Sequence, residues 1–192
     1  MVPMLTSLSA TVSKIAAASN IYIIKVRENK YMVVDTGPAK EKREIHSALL
    51  RCFSPAHITA VILTHLHYDH TGNLDLFPCA RVYASAQAIK DFRKDPFGSV
   101  LREQEAKFLG NIILFPLPQA IGPLEVLPAP GHTAGSICLW YSQEKILFSG
   151  DTIFTSGYGR TDLPTGNAAS LTTTLGKLRT IPYTLLCPGH DY

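Results

Sequence analysis

The chain has 192 residues, 46% of them hydrophobic, which is enough to bury a substantial core and fits one domain, 1–192, better than two. Its net charge of +3 comes from 18 basic and 15 acidic residues that are mostly interspersed, which argues against a nucleic-acid surface and leaves room for an anionic small substrate. No apolar run approaches the ~18 residues of a membrane span, and the opening "MVPMLTSLSATVSKIAAASN" lacks a basic start and is interrupted by Lys14, so no signal peptide and a cytoplasmic location are expected.

In chain order, "NIYIIKV" and "YMVVDTG" read as two strands of a hairpin around "RENK", which puts Asp35 and Gly37 at a strand end. "AKEKREIHSALLRCF" carries Ile45, Leu49, Leu50 and Phe53 at helical spacing against a charged face. After Pro55, "ITAVILT" is a buried strand that delivers His65 and its neighbours into the loop beyond it. "RVYAS" is the next strand and "SAQAIKDFRKD" the next helix, with Ser85 as its N-cap.

Pro96 to Pro130 is less regular, with strand candidates in "NIILFPL" and "PLEVLPA". "SICLWYS" and "KILFSGD" form a hairpin around Gln143 and Glu144, "NAASLTTTLGKLRT" is helical, and "YTLLCPGHDY" is a closing strand and loop. Strands alternate with helices but hairpins are mixed in, which favours two mixed sheets flanked by helices over a doubly wound parallel sheet. The cysteines, Cys52, Cys79, Cys138 and Cys187, are widely spaced without a C-x-x-C pair, and read as reduced, mostly buried thiols.

The chemistry concentrates in "ILTHLHYDHTGN", which places three histidines and an aspartate within six residues. Imidazole and carboxylate groups lose hydration on burial and must find partners, so core formation does not explain them. His65 and His67 share a face if the segment is extended, and both can approach one ion; Asp69 and His70 in the following turn can reach a second. Three more segments present a polar residue among small ones after an apolar strand: His132 in "APGHTAGS", Asp151 in "LFSGDTIF" and His190 in "LLCPGHDY". A carboxylate such as Asp151 has two oxygens and can bridge two cations. His46 and His57 lack convergent partners and read as solvated or locally bonded.

H-x-H-x-D-H followed by P-G-H-T, S-G-D and P-G-H resembles the metallo-β-lactamase superfamily, and "VVDTG" resembles its first motif; the likeness runs from about Asn20 to Tyr192. It implies an α/β fold, a four-layer αββα sandwich with the metal site at one edge between two sheets. It implies that His65, His67 and His132 hold one divalent ion and Asp69, His70 and His190 a second, with Asp151 bridging and Asp35 behind the ligands. Zinc is favoured over iron because the ligands are mainly imidazole. The implied reaction is attack of a metal-bound hydroxide, available near neutral pH, on an ester or thioester carbonyl, with Asp69 orienting the nucleophile.

Secreted zinc β-lactamases commonly have arginine where His70 stands and cysteine where Asp151 stands. Nuclease members carry a large insertion, and flavodiiron oxidases have glutamate in place of His67. "SGYGRTDLPTGN" with "PGHDY" instead resembles glyoxalase II-like hydrolases and the related iron-dependent persulfide dioxygenases, which implies that Arg160 and Tyr192 lie near a glutathione-like, anionic tail. Full-length glyoxalase II continues past its last histidine into a helical domain that is not expected here. "THLHYDHTGNL" also resembles the lactonase branch. A metal-stabilised binding protein is the non-enzymatic alternative. The sequence sets no oligomeric state.

Overall fold

The computed structural model describes residues 4–191, so Tyr192 lies outside the described residues. Strands β1 (Met4–Ser7), β2 (Val12–Ala16), β3 (Ile21–Arg27) and β4 (Lys30–Val34) form an antiparallel meander. Helix α1 (Lys42–Leu50) follows a short 3-10 turn and leads to β5 (Ile58–Ile62), which adds to β4 in parallel. The four-residue helix α2 (Tyr68–Thr71), β6 (Arg81–Ala84), helices α3 (Ala86–Lys94), α4 (Pro96–Val100) and α5 (Glu103–Leu109), and β7 (Leu114–Pro116) complete a seven-stranded sheet in sequential order.

The second sheet contains β8 (Ala120–Ile121), β9 (Leu124–Pro128), β10 (Ile137–Tyr141) and β11 (Ile146–Gly150). The small hairpin of β12 (Ile153–Phe154) and β13 (Gly157–Tyr158) and the helix α6 (Ala168–Leu178) precede β14 (Leu185–Pro188), which pairs with β11 in parallel and closes the five-stranded order β14-β11-β10-β9-β8.

The central strands β5, β10 and β11 read as nearly unbroken apolar runs because they are buried on both faces. Ile21, Ile23, Val33 and Val61 point to the layer under α1, α3, α4 and α5, where they meet Ile45, Leu49, Ile89 and Leu109. Their neighbours Tyr22, Ile24, Met32, Val34 and Ile62 point the other way and pack against Leu124, Ile137, Leu139, Ile146 and Phe148 of the second sheet. The alternate residues of that sheet, Cys138, Trp140 and Leu147, face Leu178 of α6. Period-two alternation thus sorts one continuous apolar run into two separate cores. The result is the expected order of helix, sheet, sheet and helix.

Two parallel pairings decide where the chemistry lies. Parallel strands have their C-terminal ends side by side. The β4–β5 pair therefore places Asp35 beside the loop that begins at Leu63, and the Asp35 N–H donates to the Ile62 carbonyl at 3.0 Å. The β11–β14 pair places Asp151 beside His190, with the Gly189 N–H donating to the Gly150 carbonyl at 2.8 Å. The sheets are joined at this edge where Ile137 N–H donates to the Thr64 carbonyl at 3.0 Å.

Several local expectations are corrected. The Pro96 to Pro130 region contains α4 and α5, and the opening segment supplies β1 and β2. Leu50 is 55% exposed and belongs to the outer face of α1. Cys138 and Cys187 are buried, but Cys52 and Cys79 are exposed; all four are free thiols. Ser85 caps α3 as read, accepting from the Ala88 N–H at 3.0 Å. Among the described residues, no helix is long and apolar enough to cross a membrane.

Candidate metal centre

His67 is the N-cap of α2 with extended backbone, so Asp69 and His70 fall in a helical turn, while His65 precedes it in a bend rather than in the extended segment expected. This geometry brings three groups of ligand atoms together: His65, His67 and His132; His65, His70 and Asp151; and Asp69, His70 and His190. His65 Nε2 lies 3.1 Å and His132 Nε2 2.9 Å from His67 Nδ1. Two nitrogens bound at about 2.1 Å to one ion, at angles of 90–110°, lie about 3.0–3.4 Å apart. The spacing of the three imidazoles suits a shared cation.

The far side of each ring determines which nitrogen faces inward. His70 Nδ1 donates to Asp35 Oδ2 at 2.8 Å, His132 Nδ1 to the Arg160 carbonyl at 2.7 Å, and His190 Nδ1 to the Ala18 carbonyl at 2.6 Å. His65 Nδ1 is 3.2 Å from Thr64 Oγ1, which itself donates to Asp35 Oδ2 at 2.7 Å. With those protons directed outward, the Nε2 lone pairs of His65, His70, His132 and His190 all point into the cluster.

Asp151 stands between the groups. Its Oδ1 is 3.2 Å from His70 Nε2, and its Oδ2 is 3.7 Å from His132 Nε2 and 3.3 Å from His190 Nε2. Asp69 Oδ2 is 3.5 Å from His190 Nε2. His70 Nε2 and Asp151 Oδ1 are buried and lack hydrogen-bond geometry to any partner. Buried polar atoms left this way are costly, and a cation between them would satisfy both. The donor set fits two divalent ions.

Titration follows the same logic. Burial, with the neighbouring His70 and His67, holds His65 well below the ordinary imidazole range, and burial beside His132 takes His67 down to about 3. Burial also lowers His132. For His70 burial works against protonation, but Asp151 and Asp35 outweigh it and the group is raised. Burial disfavours the Asp151 carboxylate, yet His70, His190 and His65 pull it well below the usual range. His190 is raised as well, burial being outweighed by Asp151. The neutral forms favoured at His65, His67 and His132 and the ionised Asp151 are the states a metal requires, whereas His70 and His190 would give up their Nε2 protons on binding one.

Close packing at the second sheet's edge depends on glycine. Gly150 has φ +49°, and a Cβ there would stand 2.6 Å from Thr64 Oγ1; a Cβ on Gly189 would stand 2.2 Å from Asp151 Oδ1 and 2.9 Å from His70 Cε1. A side chain at Gly189 would enter the space between Asp151 and His70, and one at Gly150 would press on Thr64.

A cavity of about 480 Å³ opens onto His67, Asp69, His132, Asp151 and His190. Tyr68, Leu101, Phe154, Tyr158, Arg160 and Leu163 extend its walls. Arg160 reaches the site through its carbonyl, which accepts from His132 Nδ1, while its Nε and Nη2 donate to the two oxygens of Asp162 at 2.7 and 2.6 Å. His46 and His57 stand outside the cluster. The apolar wall residues escaped the sequence reading because an isolated Leu or Phe carries no sign of facing a ligand. Thr64, Ser19 and Asn20 escaped it because their roles appear only in contacts across the fold.

The sequence profile described as the metallo-beta-lactamase superfamily matches residues 16–190. A Streptococcus pyogenes protein named "Probable metallo-hydrolase" is 30% identical over 195 residues, which covers 94% of this chain and 82% of that one. The hydroxyacylglutathione hydrolase of Bartonella quintana is 34% identical over 158 residues, covering 80% of this chain; the match spans only 56% of that enzyme. A crystal structure of TTHA1623 in a di-iron-bound form covers 100% of this chain and 93% of its own, with a TM-score of 0.73 and 23% identity, a likeness of fold.

Proposed function

The chain belongs to the metallo-beta-lactamase superfamily, and on that footing we propose that it is a dinuclear-metal hydrolase of thioesters or esters, nearest in chemistry to hydroxyacylglutathione hydrolase. The observation that carries this reading is the shared carboxylate: Asp151 Oδ2 lies 3.7 Å from His132 Nε2 and 3.3 Å from His190 Nε2, so one side chain serves both histidine groups. His65, His67 and His132 would hold one cation, and Asp69, His70 and His190 the other. Bound divalent ions lower the pKa of coordinated water from about 15.7 to about 7 and polarise a carbonyl. Zinc suits the imidazole-rich set, with iron the competing metal.

Asp69 combines a ligand position with a place in the cavity wall. Its carboxylate could accept a hydrogen bond from the O–H of the nucleophile and so turn a lone pair of that oxygen toward the scissile carbonyl. Arg160 lines the same space, where the guanidinium can meet an anionic tail on the small-molecule substrate, glutathione-like in the nearest case; Tyr192 is assigned to that tail by sequence alone. The open cavity beside the ligands favours an enzyme over a closed, metal-stabilised scaffold.

The test offers S-lactoylglutathione, a simple lactone and glutathione persulfide in parallel to protein reconstituted with zinc or with iron, while recording acid release and oxygen uptake. Thioester cleavage with zinc is expected. Oxygen uptake with iron and persulfide, without thioester cleavage under either metal, would replace this reading by the dioxygenase one. Turnover of lactone alone would replace it by the lactonase one.

A further inference from the structure

We infer that the cavity receives an apolar acyl group and that Leu101 selects for it; the inference rests on the hydrolase reading above and adds a substrate class to it. Leu101 is the residue after α4 and has φ 69° and ψ 6°, with its N–H donating to the Phe97 carbonyl at 2.7 Å. A left-handed residue in this place ends many helices and is usually glycine, because a Cβ is strained there. The residue in that strained backbone is a leucine, and it lines the metal cavity. Strain held at a ligand cavity points to a use for the side chain that carries it.

The surroundings of Leu101 agree. Arg102, the next residue, stacks its guanidinium over the Tyr68 ring at 4.0 Å, and Tyr68 also lines the cavity. Phe154 and Leu163 add apolar surface. Arg160 is the sole arginine or lysine among the residues lining the cavity, and it is held in a two-point pair with Asp162. Beyond the ligand atoms, Leu101, Phe154 and Leu163 therefore offer contact to hydrocarbon, beside the polar Tyr68, Ser156 and Tyr158. An alkanoyl or phenylacyl chain of several carbons fits this chemistry.

The product acids provide a probe that does not depend on turnover. Acetate, butanoate, hexanoate and octanoate are titrated into zinc-loaded protein by calorimetry, for the wild type, Leu101→Gly and Leu101→Asn, and thioesters of the same acids are assayed alongside. Both replacements tolerate the left-handed backbone, so folding, Tm and zinc content are expected to stay near wild type. In the wild type, affinity should rise by about fourfold per methylene until the wall is covered. Both variants should bind acetate as before and octanoate about tenfold more weakly. Affinity independent of chain length, or a rise that is the same in the variants, would overturn the proposal. Chain-length-dependent binding that is lost in the variants, without cleavage of any thioester, ester or lactone, would keep the apolar site and overturn the hydrolase reading alone.

Discussion

Asp35 uses both carboxylate oxygens to hold other residues. Oδ1 accepts from the Thr64 N–H at 2.8 Å, and Oδ2 accepts from Thr64 Oγ1 at 2.7 Å and His70 Nδ1 at 2.8 Å. Because the Thr64 hydroxyl proton is committed to Asp35, its oxygen is left to accept from His65 Nδ1. One buried carboxylate thus fixes the tautomer of His70 directly and that of His65 through Thr64, so that each of the three ligand groups contains a histidine it holds. Asparagine tolerates the residue's φ of 57° but has one acceptor oxygen and a competing NH₂. Asp35→Asn is therefore expected to keep its fold and to weaken zinc binding by about 10–100-fold, read by competition with a chromophoric chelator. Thr64→Val should affect chiefly the site containing His65. Asp151→Asn removes the charge shared by the two groups, and its turnover should fall further than that of Asp35→Asn. Wild-type zinc affinity in Asp35→Asn would show that the outer acceptors do not tune the ligands.

The turn between β2 and β3 acts on one half of the centre. Ser19 Oγ donates to the Asp69 carbonyl and the Ala18 carbonyl accepts from His190 Nδ1. Asn20 donates through its backbone to the Gly189 carbonyl at 2.7 Å, and through Nδ2 to the Pro188 carbonyl at 3.0 Å and to Asp191 Oδ1 at 2.9 Å. These contacts converge on Asp69 and His190, both in the group of Asp69, His70 and His190. Ser19→Ala and Asn20→Ala are accordingly expected to weaken the second equivalent of cobalt in a stepwise spectroscopic titration while the first binds as before. Equal weakening of both equivalents would mean that the turn supports the fold generally. The candidate ligands stand out in the sequence because histidine and aspartate beside glycine carry their chemistry in their identity, whereas Ser19 and Asn20 act through partners 50 and 171 residues away. Elements show the same division. β3, β4 and β11 were readable as continuous apolar runs, but in β2 the buried Val12 and Ile15 are separated by Ser13 and Lys14, which obscures the alternation. α4 begins with an Asp95 cap and Pro96, a proper start signal, yet five residues are too few to display a helical period.

At the scale of the whole molecule, the candidate ligands come from both sheets. His65, His67, Asp69 and His70 follow β5 of the first sheet, while His132, Asp151 and His190 follow β9, β11 and β14 of the second. A cation held by His65, His67 and His132 would therefore fasten the sheets at one edge, in addition to the apolar layer between them. The two supports can be separated. Ile146 is fully buried in the inter-sheet layer at the start of β11, about 13 Å along the strand from Gly150 at a rise of about 3.3 Å per residue. Ile146→Ala should cost about 2–5 kcal/mol through lost burial and a residual cavity, with zinc content unchanged. Removing zinc by chelation should cost about 2.7 kcal/mol when the free ion had stood at about 100 times its Kd, a fall in Tm of roughly 5–10 °C for a chain of this size. Perturbations this far apart are expected to add, so chelation should lower the Tm of Ile146→Ala by about as much as that of wild type. In Asp151→Asn, where the shared charge is already absent, the chelation shift should shrink. If chelation leaves the wild-type Tm unmoved, bound cations do not fasten the sheets; if Ile146→Ala loses its chelation shift, core and metal edge form one cooperative unit, and the independence argued from their separation fails.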